Sequence, residues 1–327
     1  MTELEKKAYI LIRRKTTSSR AELARGLGVS RPTASSVVES LLDSKLICEC
    51  GKGKSTGGKT PVLLSAAENM QEIIGIDLGY TDRMSGVVID GAGNVTAKTE
   101  MSFEPENLDS ITETSASLVK KLESGRHIGN VAVALSAIVN ESDRRIIASI
   151  NPVFRQNDFE KTFESRLGKR VFFSNRSRAA AISEAFGGAA DGEKDFALIS
   201  LGRSVGAAFW CNGELFSGAT SSAGEIRNLR LSNGMRLEEA LSRDRVARDG
   251  VGNIVSGMAE VMEQVTGMID VGLLVLSGRF VDFGSDFAEM LENKLGTLRG
   301  IRIRQACFGR FSAARGCAFQ MGEKLLQ

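Results

Sequence analysis

Histidine is all but missing from this chain, for His127 is the only one in 327 residues. A Cys₂His₂ zinc site is therefore excluded, and the cysteines argue against a Cys₃His one. There are five, Cys48, Cys50, Cys211, Cys307 and Cys317, and no two form Cys-x-x-Cys. So few scattered thiols, with no signal-peptide hydrophobic region after Met1, point to a reducing cytoplasm. No apolar run approaches the roughly 18 residues of a membrane span, so no membrane partner is expected. Proline is also scarce, at 4 against 35 glycines. What remains is an ordinary soluble balance of 42% apolar and 25% charged residues, in a length suited to two or three domains.

Net charge is only +2, but it is unevenly placed. Residues 1–66 hold twelve Lys/Arg against six Asp/Glu, which leaves 30 basic against 34 acidic residues in the remainder. A basic head on a mildly acidic body fits a polyanion-binding module, or simply a solvated basic terminus. Within the head, Leu4, Ala8, Leu11 and Ile12 predict a helix over residues 3–15. Ser19-Arg-Ala-Glu22 is a capping box opening a second helix with Leu23, Ala24 and Leu27 inward. Gly28 supplies a turn, Ser30 caps a third helix, and Pro32 sits in its first turn, where a missing N–H costs nothing. Ala34, Val37, Val38, Leu41 and Leu42 form its apolar stripe.

Helix, short glycine turn and helix is the helix-turn-helix pattern, against which stands a plain helical hairpin. Arg31, Thr33, Ser35 and Ser36 lie off the stripe at the start of the later helix, where a DNA reader meets base edges and phosphates. Two strands, 46–48 and 61–64, flank a glycine-rich tip carrying Lys52, Lys54 and Lys59, a wing suited to backbone or minor-groove contact. A P-loop reading of this tip fails, because Gly53-Lys54-Ser55 lacks the first glycine of that motif.

The body opens with a buried strand running into Asp77-Leu-Gly79-Tyr-Thr81, then a hairpin. A helix is predicted over 108–123 and strands over 131–135, 171–173, 196–201 and 271–276. Asn212-Gly213 signals a second hairpin. After the strand at 171–173 comes Asn175-Arg-Ser-Arg-Ala-Ala-Ala-Ile-Ser-Glu184. This segment resembles the catalytic loop of the ROK family of sugar kinases and repressors, where Asn-Asp stands at that junction. The resemblance runs on through Gly202-Arg203-Ser204-Val205-Gly206, Asn212-Gly213 and Ala223-Gly-Glu225-Ile-Arg-Asn228. It reaches back to the wing, where Gly57-Gly58-Lys59-Thr60-Pro61 is similar to the family's Gly-Gly-Arg-Pro.

The resemblance implies an α/β fold: a winged helix-turn-helix over 1–66, then a two-lobed actin-like, ribonuclease H-like body. Lobe 1 would take 67–189 with a C-terminal helix at 312–327, and lobe 2 would take 190–311. It also implies the departures. The family's Asp is the general base, and here Arg176 replaces it; a guanidinium has no lone pair to offer and stays protonated. Ser204 places a Cβ in a turn whose bare amides hold phosphate in the kinases, where a left-handed residue would be costly. The zinc cysteines are gone, and Asn228 takes the position of the zinc histidine. No metal, no cofactor and no catalysis are expected.

The implied function is a sequence-specific DNA-binding regulator, a repressor, acting in carbohydrate metabolism. It would bind a double-stranded operator as a homodimer or tetramer and sense a sugar or sugar derivative in its cleft. Effector contacts fall on Asn151, Asn175, Arg176, Glu225, Asn228 and Glu238, the last reading equally as a helix-start carboxylate. Arg176 either pairs bidentately with an anionic sugar or pairs with Asp77 or Glu225 and plugs the site. The rival readings are a sugar kinase with an atypical active site and a repressor that needs no ligand.

Overall fold

The computed structural model describes residues 1–15, 17–54, 60–68, 71–140, 145–156 and 158–325, with the backbone alone for Ser285 and residues 296–299. The chain starts as three helices, α1 (Glu3–Arg14), α2 (Arg20–Leu27) and α3 (Arg31–Asp43), with short strand β1 (Ser18–Ser19) ahead of α2. Strands β2 (Ile47–Lys52) and β3 (Val62–Ala66) follow and pair antiparallel, and β1 adds to the far edge of β3. Each helix start is satisfied by a side chain. Thr2 and Ser19 form capping boxes with Glu5 and Glu22, and Ser30 Oγ accepts from the Thr33 amide at 3.3 Å. Gly28 ends α2 at φ 66°, a left-handed turn that suits glycine. Ala8, Ile12, Leu23, Val38, Leu41 and Leu64 close one apolar cluster under the three helices.

The body is built on one topology used twice. The first sheet comprises β4 (Ile73–Asp77), β5 (Arg83–Ile89), β6 (Val95–Ser102) and β7 (Asn130–Leu135), completed by a later strand. Before that strand come a small hairpin, β8 (Ala137–Asn140) with β9 (Arg145–Ser149), and then β10 (Val171–Asn175) itself joins β7 in parallel. The second sheet comprises β11 (Phe196–Leu201), β12 (Val205–Cys211), β13 (Glu214–Phe216), β14 (Leu273–Gly278) and β15 (Arg302–Gln305). Both sheets run third, second, first, fourth, fifth in space, with an antiparallel meander on one side and parallel additions on the other.

Helices fill the remaining layers. Against the outer face of the first sheet lie α4 (Leu108–Glu123) and α5 (Phe159–Leu167). Between the sheets runs α6 (Arg176–Ala185), all ten of its residues buried. The outer face of the second sheet takes α7 (Leu237–Ala240), α8 (Arg243–Asp249), α9 (Val251–Ile269) and α10 (Ser285–Arg299). The last helix, α11 (Ser312–Lys324), returns to lie beside α6 and against β4, β5 and β7. The inner helices touch backbone to backbone. A Cβ at Gly316 would lie 1.6 Å from the Ala179 carbonyl oxygen, and one at Gly75 1.9 Å from that of Ala314. Alanine and glycine along α6 and α11 thus let two sheets share one thin helical layer.

The first three helices are fixed to this body through α1 and α11. Arg14 makes a two-pronged pair with Glu323 at 2.7 and 2.8 Å, and Arg13 donates to the Gly91 and Phe319 carbonyls at 3.0 and 2.9 Å. No described helix is long and apolar enough to cross a membrane.

Candidate functional site

The C-terminal ends of β4, β10 and β11 meet between the two sheets, and a cavity of about 90 Å³ opens beside them. Its wall includes Ser136, Ser149, Asn175, Arg176, Ser177, Ser200, Ser204, Glu225 and Arg227. Asn175 is set by its place as the cap of α6. Its side-chain oxygen accepts from the Arg178 amide at 3.1 Å, and its Nδ2 donates to the Ala137 carbonyl at 2.8 Å. The helix it opens points its amide end at the cavity, an end that favours negative charge.

Arg176 sits at the first position of α6 and turns back between the sheets. Its Nε donates to both oxygens of Asp77, at 3.1 and 2.9 Å, and its Nη1 donates to Ser200 Oγ at 2.6 Å. The guanidinium carbon stands 4.4 Å from the centre of the Tyr80 ring. Arg176 is 4% exposed and Asp77 is fully buried. Burial works against the arginine's charge, but Asp77 and Tyr80 outweigh it and raise its pKa. Burial likewise pushes the Asp77 carboxyl up, with Arg176 and the Gly79 amide pulling the other way.

The two glycine turns around this pair face each other closely. Gly79 donates its amide to Asp77 at 2.8 Å, while its carbonyl accepts the Arg203 amide at 2.7 Å. The Gly202 amide turns inward to the Ser204 carbonyl at 3.0 Å. A Cβ at Gly79 would lie 2.0 Å from Arg176 Cδ, and one at Gly202 2.4 Å from the Gly79 oxygen. The turns that would cradle phosphate therefore bond to each other and enclose the arginine. Ser204 does not strain its turn as expected, since neither it nor Gly202 adopts a positive φ. The cost foreseen for its Cβ does not arise, because the loop closes with ordinary backbone.

The other expected effector residues divide. Glu225 and Asn175 line the cavity. Burial raises the Glu225 pKa, opposed by Arg227 and Arg178 and reinforced by Glu238. Arg227 lies 3.8 Å from Glu225 in a loose ion pair. Asn151 does not face the cavity. It is 1% exposed, its Nδ2 donates to the Pro105 carbonyl at 2.6 Å, and its Oδ1 accepts from the Val153 amide at 3.0 Å. It braces the loop behind the wall. Asn228 is exposed and outside the lining, and Glu238, half-buried at the start of α7, is outside it too. Arg176 reaches the wall, but with Nε and Nη1 already bonded within the protein.

Of the wall serines, Ser136, Ser149 and Ser200 carried no signal of their own in the sequence, because only the two-sheet topology brings their separate segments together. Among the described residues no group of three or more His, Cys, Asp or Glu is placed to hold a metal ion. All five cysteines are free thiols.

In the first three helices, Arg31, Thr33 and Ser36 are exposed at the start of α3 and Ser35 is half-buried. Lys52 and Lys54 are exposed at the end of β2, and Lys59 lies outside the described residues.

Residues 73–234 match the family described as "ROK family". Among curated proteins, the chain is 23% identical over 218 residues to the xylose repressor of Bacillus subtilis (strain 168), covering 65% of this chain and 56% of that one. It spans a little over half the length of the curated repressors it matches. Among solved structures, a ROK family transcriptional regulator, a homolog of E. coli MLC protein, has the same fold over 98% of this chain and 95% of its own, with TM-score 0.72 at 15% identity. A ROK family glucokinase from Streptomyces griseus, solved with glucose and AMPPNP, matches 76% of this chain and 98% of its own, with TM-score 0.67 at 17% identity.

Proposed function

The chain carries a ROK family domain over residues 73–234, and from it we propose that the protein is a DNA-binding transcriptional repressor whose kinase-like body senses a sugar and does no chemistry. The observation that carries the reading is the Arg176–Asp77 pair, buried between two glycine turns whose amides bond within the protein. Phosphoryl transfer needs amides free to hold the donor's phosphates and a base with a free lone pair to take the proton of the attacking hydroxyl. Arg176 has no lone pair to give. The likeness to curated xylose repressors supports the same reading, and the glucokinase fold alone does not oppose it.

The first 66 residues are read as a winged helix-turn-helix. Helix α3 would enter the major groove with Arg31, Thr33, Ser35 and Ser36, and the β2–β3 tip would follow the backbone with Lys52, Lys54 and Lys59. A two-fold pair of such heads reads a pseudo-palindromic site. The cavity at Asn175 and Glu225 is read as the effector site. Glu225 accepts sugar hydroxyls, Asn175 orients them, and the serines complete the shell. An effector acts only through unequal affinity for two arrangements of the sheets, and that inequality must reach the heads through α11.

The experiment is a thermal-shift screen of neutral sugars, xylose first because of the relatives' names, followed by DNA binding with each hit. The reading requires at least one sugar that raises Tm and changes DNA affinity, with both effects lost in Glu225→Ala. A pure protein that transfers phosphate from ATP to any of these sugars refutes the non-catalytic half of the reading.

A further inference from the structure

Two arginines at the seam between the first three helices and the body make no ion pair with an acid among the described residues. Arg13 is 4% exposed and Arg315 is 7% exposed, and neither has a carboxylate within ion-pair distance among the described residues. Arg13, on α1, gives its Nε and Nη1 to two carbonyls. Arg315, on α11, gives its Nη1 to the carbonyl and hydroxyl of Ser183, at 2.9 and 3.3 Å, and its buried Nε has no partner. The two cations share one ring. Arg13 stands 4.0 Å from the centre of Phe319 and Arg315 5.9 Å from it, with Phe308 4.1 Å from Arg315 on another side. Arg13 makes the charge of Arg315 harder to hold. Burial, with that repulsion, pushes Arg315 down to about 10 against the pull of Glu184 and Asp90, and burial pushes Arg13 down against Tyr9, Glu323 and Asp90.

The nearby acids are occupied. Glu184 accepts from the amides of Ala189, Cys307 and Phe308 and from the Ser312 hydroxyl. Asp90 accepts from Asn94, and Glu323 is held by Arg14. Both arginines line a groove of about 260 Å³ that lies between α1 and β3 on one side and the body on the other. Its wall adds Ser65, Asn94 and Phe319, and one carboxylate, the exposed Glu68. Burying a cation with no counter-charge is costly, and two in one groove more so. Carbonyls and ring faces offset part of that cost, and an anion in the groove would offset the rest.

We propose that this groove is a binding site for a small oxyanion, a phosphate or carboxylate, gripped between Arg13 and Arg315 with Ser65 and Asn94 at its edge. The site is separate from the sugar cavity and is not the place of any catalytic group. Its occupant would tie α1 to α11, the same seam through which the body holds the first three helices. That consequence rests on the DNA-binding reading above, whereas the binding itself does not.

The test is thermal unfolding and calorimetry of the full chain with inorganic phosphate and with acetate, each against chloride at equal ionic strength. The expected result is a saturating rise in Tm of about 3 °C with at least one of the two anions. Phosphate alone would point to a phosphoryl ligand and acetate alone to a carboxylate. Arg315→Met and Arg13→Met should each weaken the binding at least ten-fold, while Arg227→Met in the sugar cavity should leave it unchanged. If Arg315→Met does not fold, Arg13→Lys, which keeps the charge and loses the forked geometry, should show the same loss. No anion-specific shift in the wild type overturns the proposal. So does a shift that survives in the Arg13 variants or disappears in Arg227→Met.

Discussion

At the scale of single residues, the proposed non-catalytic role rests on Arg176 and its bonds to Asp77 and Ser200. A buried ion pair stabilises little on balance, but breaking one partner leaves an isolated charge. Arg176→Met should therefore cost about 3–5 kcal/mol in urea unfolding, and adding Asp77→Leu should restore most of it. A loss below about 1 kcal/mol would mean that Asp77 finds another partner. The resemblance implies a guanidinium at the position of the family's base, and the sequence left open whether that cation reads a ligand or fills the site. The choice turned on Asp77, 99 residues away, and on Tyr80 and Ser200, none of which local pattern connects. Glu225 carries a second prediction. Burial raises its pKa, so it stays protonated to a higher pH than an ordinary glutamate. If its ionised form accepts sugar hydroxyls, affinity is full at neutral pH and falls as pH is lowered through that raised pKa. Calorimetry across pH 4–7 should show this fall (roughly the carboxylate range), and Glu225→Gln should flatten it.

At the scale of elements, the caps and stripes of the first three helices were legible because they are local. Ser19 with Glu22, Ser30, Gly28 and the Ala34–Leu41 stripe all stand as read. The strand at 196–201 and the helix at 108–123 have the boundaries that apolar pattern gave. What could not be read was how elements approach one another. The run Arg178-Ala-Ala-Ala and the stretch Ala313-Ala-Arg-Gly316 look like plain small-residue helices, yet they form the layer both sheets share. Gly316→Ala would drive its methyl into the Ala179 carbonyl, 1.6 Å away. We expect a loss of about 3 kcal/mol or failure to accumulate folded protein, measured by chemical unfolding and soluble yield. A neutral effect would mean that α6 and α11 slide apart easily. Ser19→Ala should instead cost about 1 kcal/mol with no change in m-value, as loss of a cap does.

At the scale of the whole molecule, the fold fixes a basic head to α11 and opens a cavity between the two sheets that α6 and α11 separate. Helix α11 touches α6, β4, β5 and β7, and through Arg13, Arg14 and Glu323 it touches α1. A shift of the sheets therefore has a direct mechanical route to the head. The charge imbalance of residues 1–66 left a polyanion partner and a solvated basic terminus both open, and the seam itself was invisible, since Arg13 and Phe319 lie 306 residues apart. If the head follows the DNA backbone, Lys54→Ala should weaken binding to all sequences alike and lower the salt slope by about one unit. Arg31→Ala should relax preference at one base position by about 1–3 kcal/mol.

The measurement closest to the central claim is selection of the full-length protein on a random duplex library, read by sequencing, with anisotropy on the enriched site at two salt concentrations. The account predicts one pseudo-palindromic motif, bound at least about 10³-fold more tightly than unselected DNA and lost in Arg31→Ala. Enrichment of no motif, with equal affinity for every duplex, would contradict it.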